Sequence, residues 1–201
     1  LERFTDMWEE FGAASWHRGW MDEMQAVRTA FARLINADSE EVAILPNVSS
    51  CLASISSSLD FNSRRRVVTS ALDFPTVPQH FLALGKKGVE TAIVPSSDGV
   101  TVDLDRFEAA ITDDTALVAT SHVYFISGYI QDVASITARA HHNGALALID
   151  DYQATGQVPM DVRAADVDIL VSGGAKWLLG GYGIAYMFVK KELVTRLRPT
   201  V

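Results

Sequence analysis

The sequence predicts an α/β domain of three layers, α/β/α, built on a mainly parallel sheet. Short apolar runs typical of buried strands alternate with segments whose apolar residues recur at helical spacing. This alternation favours parallel strands, because each helix can return the chain to the edge of the sheet from which the last strand began. At 201 residues, with no internal repeat or linker, the chain fits one large domain with a substantial core.

Helices and strands alternate through the first half of the chain. Apolar residues at helical spacing predict a helix over 21–35. Pro46 followed by Asn47 or Ser49 predicts the start of a second helix, whose apolar residues recur at helical spacing. Pro75 predicts the start of a third helix, because the residue before a proline disfavours helical backbone. Asp103 is expected to cap a fourth helix, and the strands among these helices are predicted at 41–45, 66–70 and 90–94.

The second half continues the same alternation. A strand is predicted over 116–120, and a helix over 133–142 that ends at Asn143-Gly144, a good C-terminal stop. An apolar run predicts a strand over 146–150, and a shorter run predicts another at 169–171.

Composition and charge exclude several classes of protein. The formal net charge of −8 argues against non-specific binding to nucleic acid, which needs a basic surface. No apolar run approaches the roughly 20 residues that span a bilayer. The single cysteine, Cys51, excludes a disulfide framework within the chain and suits a reducing compartment. We therefore expect a cytoplasmic protein with neither nucleic acid nor membrane as a partner.

Asp150 and Lys176 form the candidate catalytic pair. Asp150 ends the apolar run 146–150, and open α/β sheets bind their ligands at the carboxyl ends of such strands. Lys176 follows the second short run and lies among glycines at 173, 174, 180, 181 and 183. A carboxylate at one strand end and a lysine in a glycine-rich loop could act on the same ligand.

Other kinds of site lack their motifs. The sequence contains no G-x-G-x-x-G after the first strand, no G-x-x-x-x-G-K-[ST] and no G-x-S-x-G. His141-His142 is expected at a solvated helix end, and Asp150-Asp151 has no further carboxylate at ligand spacing. We therefore predict no metal site.

A lysine that forms a Schiff base with pyridoxal phosphate is the interpretation that uses these parts. The cofactor needs a lysine for its aldehyde, a carboxylate for its ring nitrogen, donors for its phosphate and a face for its ring. Lys176 and Asp150 would supply the first two, and Phe74 could stack on the ring. Ser49 and the loop around Ser172-Gly173 could hold the phosphate, because a helix N-terminus with hydroxyl residues suits an anion.

A longer motif resembles a known family. It runs from Asp150-x-x-Gln153-x-x-Gly156-x-x-Pro159-x-Asp161-Val162 through Asp168 to Ser172-Gly173-Gly174-Ala175-Lys176-Trp177-Leu178-x-Gly180-x-x-Gly183. Ser121-His122-Val123 and Gly128 extend the match towards the start of the chain. The chain resembles the class V aminotransferase family of fold-type I pyridoxal-phosphate enzymes, which includes cysteine desulfurases and kynureninases.

The resemblance implies a role for each matched residue. Lys176 would be the Schiff-base lysine, Asp150 the partner of the ring nitrogen, and Gln153 a hydrogen-bond partner of the phenolic oxygen of the cofactor. Phe74 would stack on the ring, and Thr76 would approach the phosphate. The turn at Val48-Ser49 matches the family's first phosphate-binding loop.

The resemblance also implies a larger assembly. The chain has no N-cap at its first helix and no closing element after Arg198-Pro199. We therefore expect residues 1–201 to be the large cofactor-binding domain of a longer chain that also has a C-terminal small domain. The family implies a homodimer with its active site at the interface, acting on a small amino-acid substrate.

Departures from the family pattern leave the reaction open. Ala175 replaces the histidine or aromatic residue that commonly precedes the lysine. Phe125 replaces an asparagine of the desulfurases and favours kynureninases, whereas Val77 replaces an aspartate of the kynureninase motif and favours the opposite. Four hypotheses remain: aminotransferase or lyase chemistry, kynureninase-like hydrolysis, cysteine desulfuration, and a catalytically silent binding protein.

Overall fold

The computed structural model describes residues 1–200, and its centre is a seven-stranded sheet. The strands are β1 (Val42–Leu45), β2 (Arg66–Ser70), β3 (Glu90–Val94), β4 (Thr115–Ser121), β5 (Leu146–Asp150), β6 (Ile169–Gly173) and β7 (Ala185–Val189). Their order across the sheet is β1-β7-β6-β5-β4-β2-β3. Strands β3, β2, β4, β5 and β6 pair in parallel, whereas β7 is antiparallel to both β6 and β1. The predicted mainly parallel sheet is therefore confirmed.

Seven α-helices accompany the sheet. They are α1 (Glu2–Phe11), α2 (Met21–Leu34), α3 (Val48–Ser58), α4 (Thr76–Ala83), α5 (Leu104–Ala110), α6 (Val133–His142) and α7 (Lys191–Val194). Of the two predicted starts, Asn47 is the cap of α3, since its side chain accepts a hydrogen bond from Ser50 N at 2.8 Å. Asp103 precedes α5 but makes no side-chain cap hydrogen bond within the described chain. Its carboxylate lies 3.3 Å from Arg106 instead.

The helices lie on both faces of the sheet, which gives the predicted α/β/α layers. Successive residues of a strand point to opposite faces, and β5 shows this clearly. Leu148 packs in a core cluster with residues of α3, α4 and α7. Ile149 packs with residues of α2, and Ala147 packs with residues of α5 and α6. Because β5 is covered on both faces, the carboxylate at its end lies in a buried environment.

The carboxyl ends of the parallel strands meet at one edge of the sheet, and Asp73 holds two of them together. Its carboxylate accepts hydrogen bonds from the backbone N–H groups of Ser70, at the end of β2, and Ser121, at the end of β4, both at 2.7 Å. The hydroxyls of Thr69 and Thr120 also donate to it, at 2.8 and 2.9 Å. The loops that follow β2 and β4 therefore start from fixed positions.

Candidate functional site

Asp150 lies at the end of β5 with little solvent contact. Its side chain is 5% exposed, and Oδ1 accepts a hydrogen bond from Tyr152 N at 3.0 Å. Burial raises the pKa of Asp150 to about 7, and the negative charges of Asp73 and Asp151 act in the same direction. The Tyr152 N–H and the charge of Lys176 oppose this rise. A cation brought next to Asp150 would therefore stabilise its ionised form.

Lys176 lies in the turn after β6, and its amine is close to two aromatic rings. Nζ is 4.4 Å from the ring centroid of Tyr152 and 5.2 Å from that of Phe74. Burial lowers the pKa of Lys176, and the charge of Asp150 partly opposes this effect. A lower pKa enlarges the fraction of neutral amine, which is the form that attacks a carbonyl carbon.

One cavity of about 220 Å³ joins most of the predicted site residues. Asp150, Lys176, Gln153, Phe74, Thr76, Val48 and Ser49 all line it. Ser121, Val123, Phe125 and Tyr152 complete the lining. The loops after β2, β4, β5 and β6 and the start of α3 contribute to this one space. It lies at the carboxyl edge of the sheet, where α/β proteins bind their ligands.

Ser172 and Gly173, which were expected near the phosphate, do not line this cavity. Ser172 is fully buried in β6, and its hydroxyl has no hydrogen-bond partner among residues 1–200. Gly173 faces the ring of Tyr152, and a Cβ added at Gly173 would lie 2.2 Å from Tyr152 Cε2. The absence of a side chain at Gly173 thus creates the space that Tyr152 fills.

Two helices begin at the cavity wall. Val48 and Ser49 form the first turn of α3, and Thr76 is the first residue of α4. The first N–H groups of a helix have no partner inside the helix and carry the positive end of its dipole. This side of the cavity is therefore suited to an anionic group, with the hydroxyls of Ser49 and Thr76 as further donors.

Sequence reasoning missed Tyr152 and the buried pair formed by His122 and Asp151. His122 Nδ1 lies 2.7 Å from Asp151 Oδ1, and the Thr155 hydroxyl donates to the same carboxylate. The backbone N–H of His122 donates to the carbonyl oxygen of Asp150 at 3.0 Å, which ties β4 to the end of β5. Consecutive residues of a strand end point in opposite directions, so the dipeptide Asp150-Asp151 implied a separate partner for Asp151. The pair of adjacent aspartates was therefore the signal in the sequence that could have indicated a buried partner for Asp151.

Residues 1–200 contain neither a helix that could span a membrane nor a cluster of metal-binding side chains. No helix in this part of the chain is both long enough and apolar enough to cross a bilayer. No group of three or more His, Cys, Asp or Glu side chains in the same range could hold a metal ion.

The fold is that of the large domain of fold-type I pyridoxal-phosphate enzymes. The chain belongs to the class V aminotransferase family: the family described as "Aminotransferase class-V" matches residues 10–201. The resemblance inferred from the Asp150 to Gly183 motif is thereby confirmed.

Relatives by sequence include aminotransferases and desulfurases. The uncharacterized aminotransferase YcbU of Bacillus subtilis (strain 168) is 39% identical over 179 residues, which are 89% of this chain and 48% of that protein. A probable cysteine desulfurase of Methanothermobacter thermautotrophicus is 31% identical over 177 residues, covering 88% of this chain and 44% of that protein. The chain spans about half the length of the curated relatives it matches.

Solved structures give the same fold. The apo structure of a cysteine desulfurase from Thermococcus onnurineus NA1 matches with a TM-score of 0.81 and 25% identity, over 88% of this chain and 45% of that one. A C-DES mutant with glycine covalently linked to the PLP cofactor matches with a TM-score of 0.89 over 100% of this chain and 55% of that one. Its identity of 21% shows the fold alone.

Replacing Gly173 by alanine tests the contact with Tyr152. The new Cβ would overlap the Tyr152 ring, so we expect Gly173→Ala to lower the free energy of unfolding by about 1–3 kcal/mol, as overpacking usually does. Urea denaturation measures this change. Gly181→Ala is the matched control, because a Cβ there meets no atom of the described chain within 4 Å. Equal stabilities for the two variants would contradict the packing described here.

The pKa of Lys176 should fall further when Asp150 is neutralised. The carboxylate favours the ammonium form, so Asp150→Asn removes the effect that opposes burial. Reductive methylation of the protein without cofactor, followed by mass spectrometry of the Lys176 peptide across pH, should show its midpoint moving to lower pH. The peptide that contains the exposed Lys87 is quantified in the same samples as the internal reference for labelling. A midpoint that stays or rises in Asp150→Asn would show that the two charges do not interact.

Proposed function

We propose that this chain is part of a pyridoxal-phosphate-dependent enzyme that acts on an amino-acid substrate through aminotransferase or lyase chemistry. The observation that carries the proposal is the presence of Lys176 and Asp150 in one cavity with the first turns of α3 and α4. Membership of the class V aminotransferase family supports it. A buried aspartate alone or a lysine alone would not support the proposal; the two side chains in one cavity do.

The donor set of the cavity fits the cofactor. The N–H groups at the start of α3, with the hydroxyls of Ser49 and Thr76, would hold the phosphate. Phe74 would offer the ring a flat face. Asp150 would accept a hydrogen bond from the protonated ring nitrogen. The positive charge of the ring would stabilise the ionised form of Asp150, which burial disfavours.

The protein residues would then bind, orient and move protons. When bound, the cofactor supplies an electron sink for negative charge that develops at the substrate Cα. Lys176 would bind the cofactor aldehyde until the substrate amine displaces it, and the freed Nζ would then act as the general base that removes the proton from the substrate Cα. Burial of the amine favours this role, because only the neutral form accepts a proton. Asp150 would keep the ring nitrogen protonated throughout.

The cavity as described lacks a group for the substrate carboxylate. Lys176 is the only cationic side chain among the residues of 1–200 that line it. We infer that the missing cation comes from a C-terminal small domain or from a second subunit, with residues 1–201 as the large domain of a homodimer. The coverage of about half of each curated relative supports this division.

Cysteine desulfuration is the second candidate reaction. It is favoured by the relative at 31% identity that is named a probable cysteine desulfurase. Kynureninase-like hydrolysis rests on Phe125, which lies in the cavity wall against Phe74 with ring centroids 5.1 Å apart. A catalytically silent protein is disfavoured, because a buried Asp150 with a single N–H donor costs free energy that a cationic ligand would recover.

The first test is covalent labelling of Lys176. The full-length protein with pyridoxal phosphate should be yellow, and borohydride should remove the colour and leave the cofactor on the peptide that contains Lys176. Lys176→Ala should retain no covalent label, whereas Lys87→Ala, at an exposed position, should label as the wild type does. A wild-type protein that takes up no pyridoxal phosphate would overturn the proposed function.

The second test distinguishes the reactions by their products. The holoprotein is incubated with a panel of amino acids, with and without a keto-acid acceptor. Turnover that depends on the acceptor identifies a transaminase. Alanine released without an acceptor identifies desulfuration when cysteine is the substrate, and kynureninase-type cleavage when kynurenine is the substrate. Absence of turnover by a holoprotein labelled at Lys176 would favour the silent homologue.

A further inference from the structure

The indole of Trp177 holds the carboxamide of Gln153 in one orientation. Trp177 Nε1 donates a hydrogen bond to Gln153 Oε1 at 3.2 Å. An indole nitrogen is a donor and never an acceptor, whereas a carboxamide carries an acceptor on one branch and two donors on the other. The indole therefore selects the amide rotamer in which Oε1 faces Trp177. In that rotamer Nε2 points away from the indole.

The Nε2 donor of Gln153 is free to bind a ligand. Gln153 lines the cavity together with Lys176. The hydrogen bond from Trp177 is the only one that the Gln153 carboxamide makes within residues 1–200. The backbone carbonyl of Gln153 is separately bonded by Gln157 Nε2 at 2.5 Å, which fixes the main chain below the side chain.

A second contact brings the loops of Gln153 and Trp177 together. Gly156 has a φ of +99°, and a Cβ added there would lie 2.9 Å from the carbonyl oxygen of Trp177. A side chain at position 156 would therefore push the two loops apart. The hydrogen bond and the close backbone approach act at two points of the same interface, so the backbone that carries the indole lies close to the loop of Gln153.

We propose that Trp177 is a positioning residue that presents Gln153 Nε2 as a donor to the ring oxygen of the cofactor. The proposal rests on the proposed function, because it needs pyridoxal phosphate in the cavity beside Lys176. An inverted carboxamide would place the lone pairs of Oε1 against the electron-rich ring oxygen and leave both without a donor. Trp177 would reduce the population of that inverted rotamer before the cofactor arrives, and so raise the apparent affinity.

The test measures cofactor binding to Trp177→Phe, which keeps an aromatic ring and loses the donor. Titration of the full-length protein with pyridoxal phosphate should give a dissociation constant about two- to tenfold higher than in the wild type, the change expected from one lost hydrogen bond. The visible absorption band of the bound cofactor should shift, because its ring oxygen loses an ordered donor. Leu179→Ala, in the same loop with its side chain 90% exposed, should change neither quantity.

A double-mutant cycle separates positioning from packing. In a Gln153→Ala background, Trp177→Phe should change neither the dissociation constant nor the absorption band, because the carboxamide through which Trp177 acts is gone. An equal loss in both backgrounds, or no loss in the wild-type background, would overturn the positioning role. The proposed function would fail separately, and only if the wild-type protein itself bound no pyridoxal phosphate.

Discussion

Asp73 lies under the candidate site, and its four hydrogen bonds fix the loops from which much of the cavity is built. The donors come from the ends of β2 and β4. The loop after β2 carries Phe74 and leads to Thr76 at the start of α4, and the loop after β4 carries Val123 and Phe125. Without this carboxylate, four donors at the sheet edge would lose their acceptor in a buried environment. The negative charge of Asp73 also raises the pKa of Asp150, so Asp73 affects the protonation of the candidate site as well as its shape.

Three buried carboxylates share this edge of the sheet, and they differ in how their burial is compensated. Asp73 has four donors, and Asp151 has the His122 ring and the Thr155 hydroxyl. Asp150 has one backbone N–H at 3.0 Å within the described chain. A bound cation stabilises a buried carboxylate most when few hydrogen-bond donors offset the cost of its burial. Asp150 is therefore the carboxylate at which a cationic ring nitrogen would gain most.

Local patterns predicted much of the fold, and long-range contacts supplied the rest. The strand ranges predicted for β2, β3 and β5 agree with the structure because short groups of β-branched and apolar residues mark them. Strand β7 was not predicted, since its apolar run follows a glycine-rich loop and its antiparallel pairing depends on β1 and β6. Lys176 and Asp150 followed from motif spacing. The Tyr152 ring over Gly173 did not, because that contact exists only once two strand ends are adjacent.

The cavity is assembled from chain segments that are far apart between Val48 and Lys176. Each segment reaches its position only when the central strands of the sheet are paired in register, so the complete site exists only in the folded chain. A partly folded chain would not present all of the hydrogen-bond donors of the cavity together. A ligand of this cavity would therefore bind the native state alone and shift the folding equilibrium towards it. Saturation with cofactor would then protect the chain against proteolysis, including at segments that never touch the ligand.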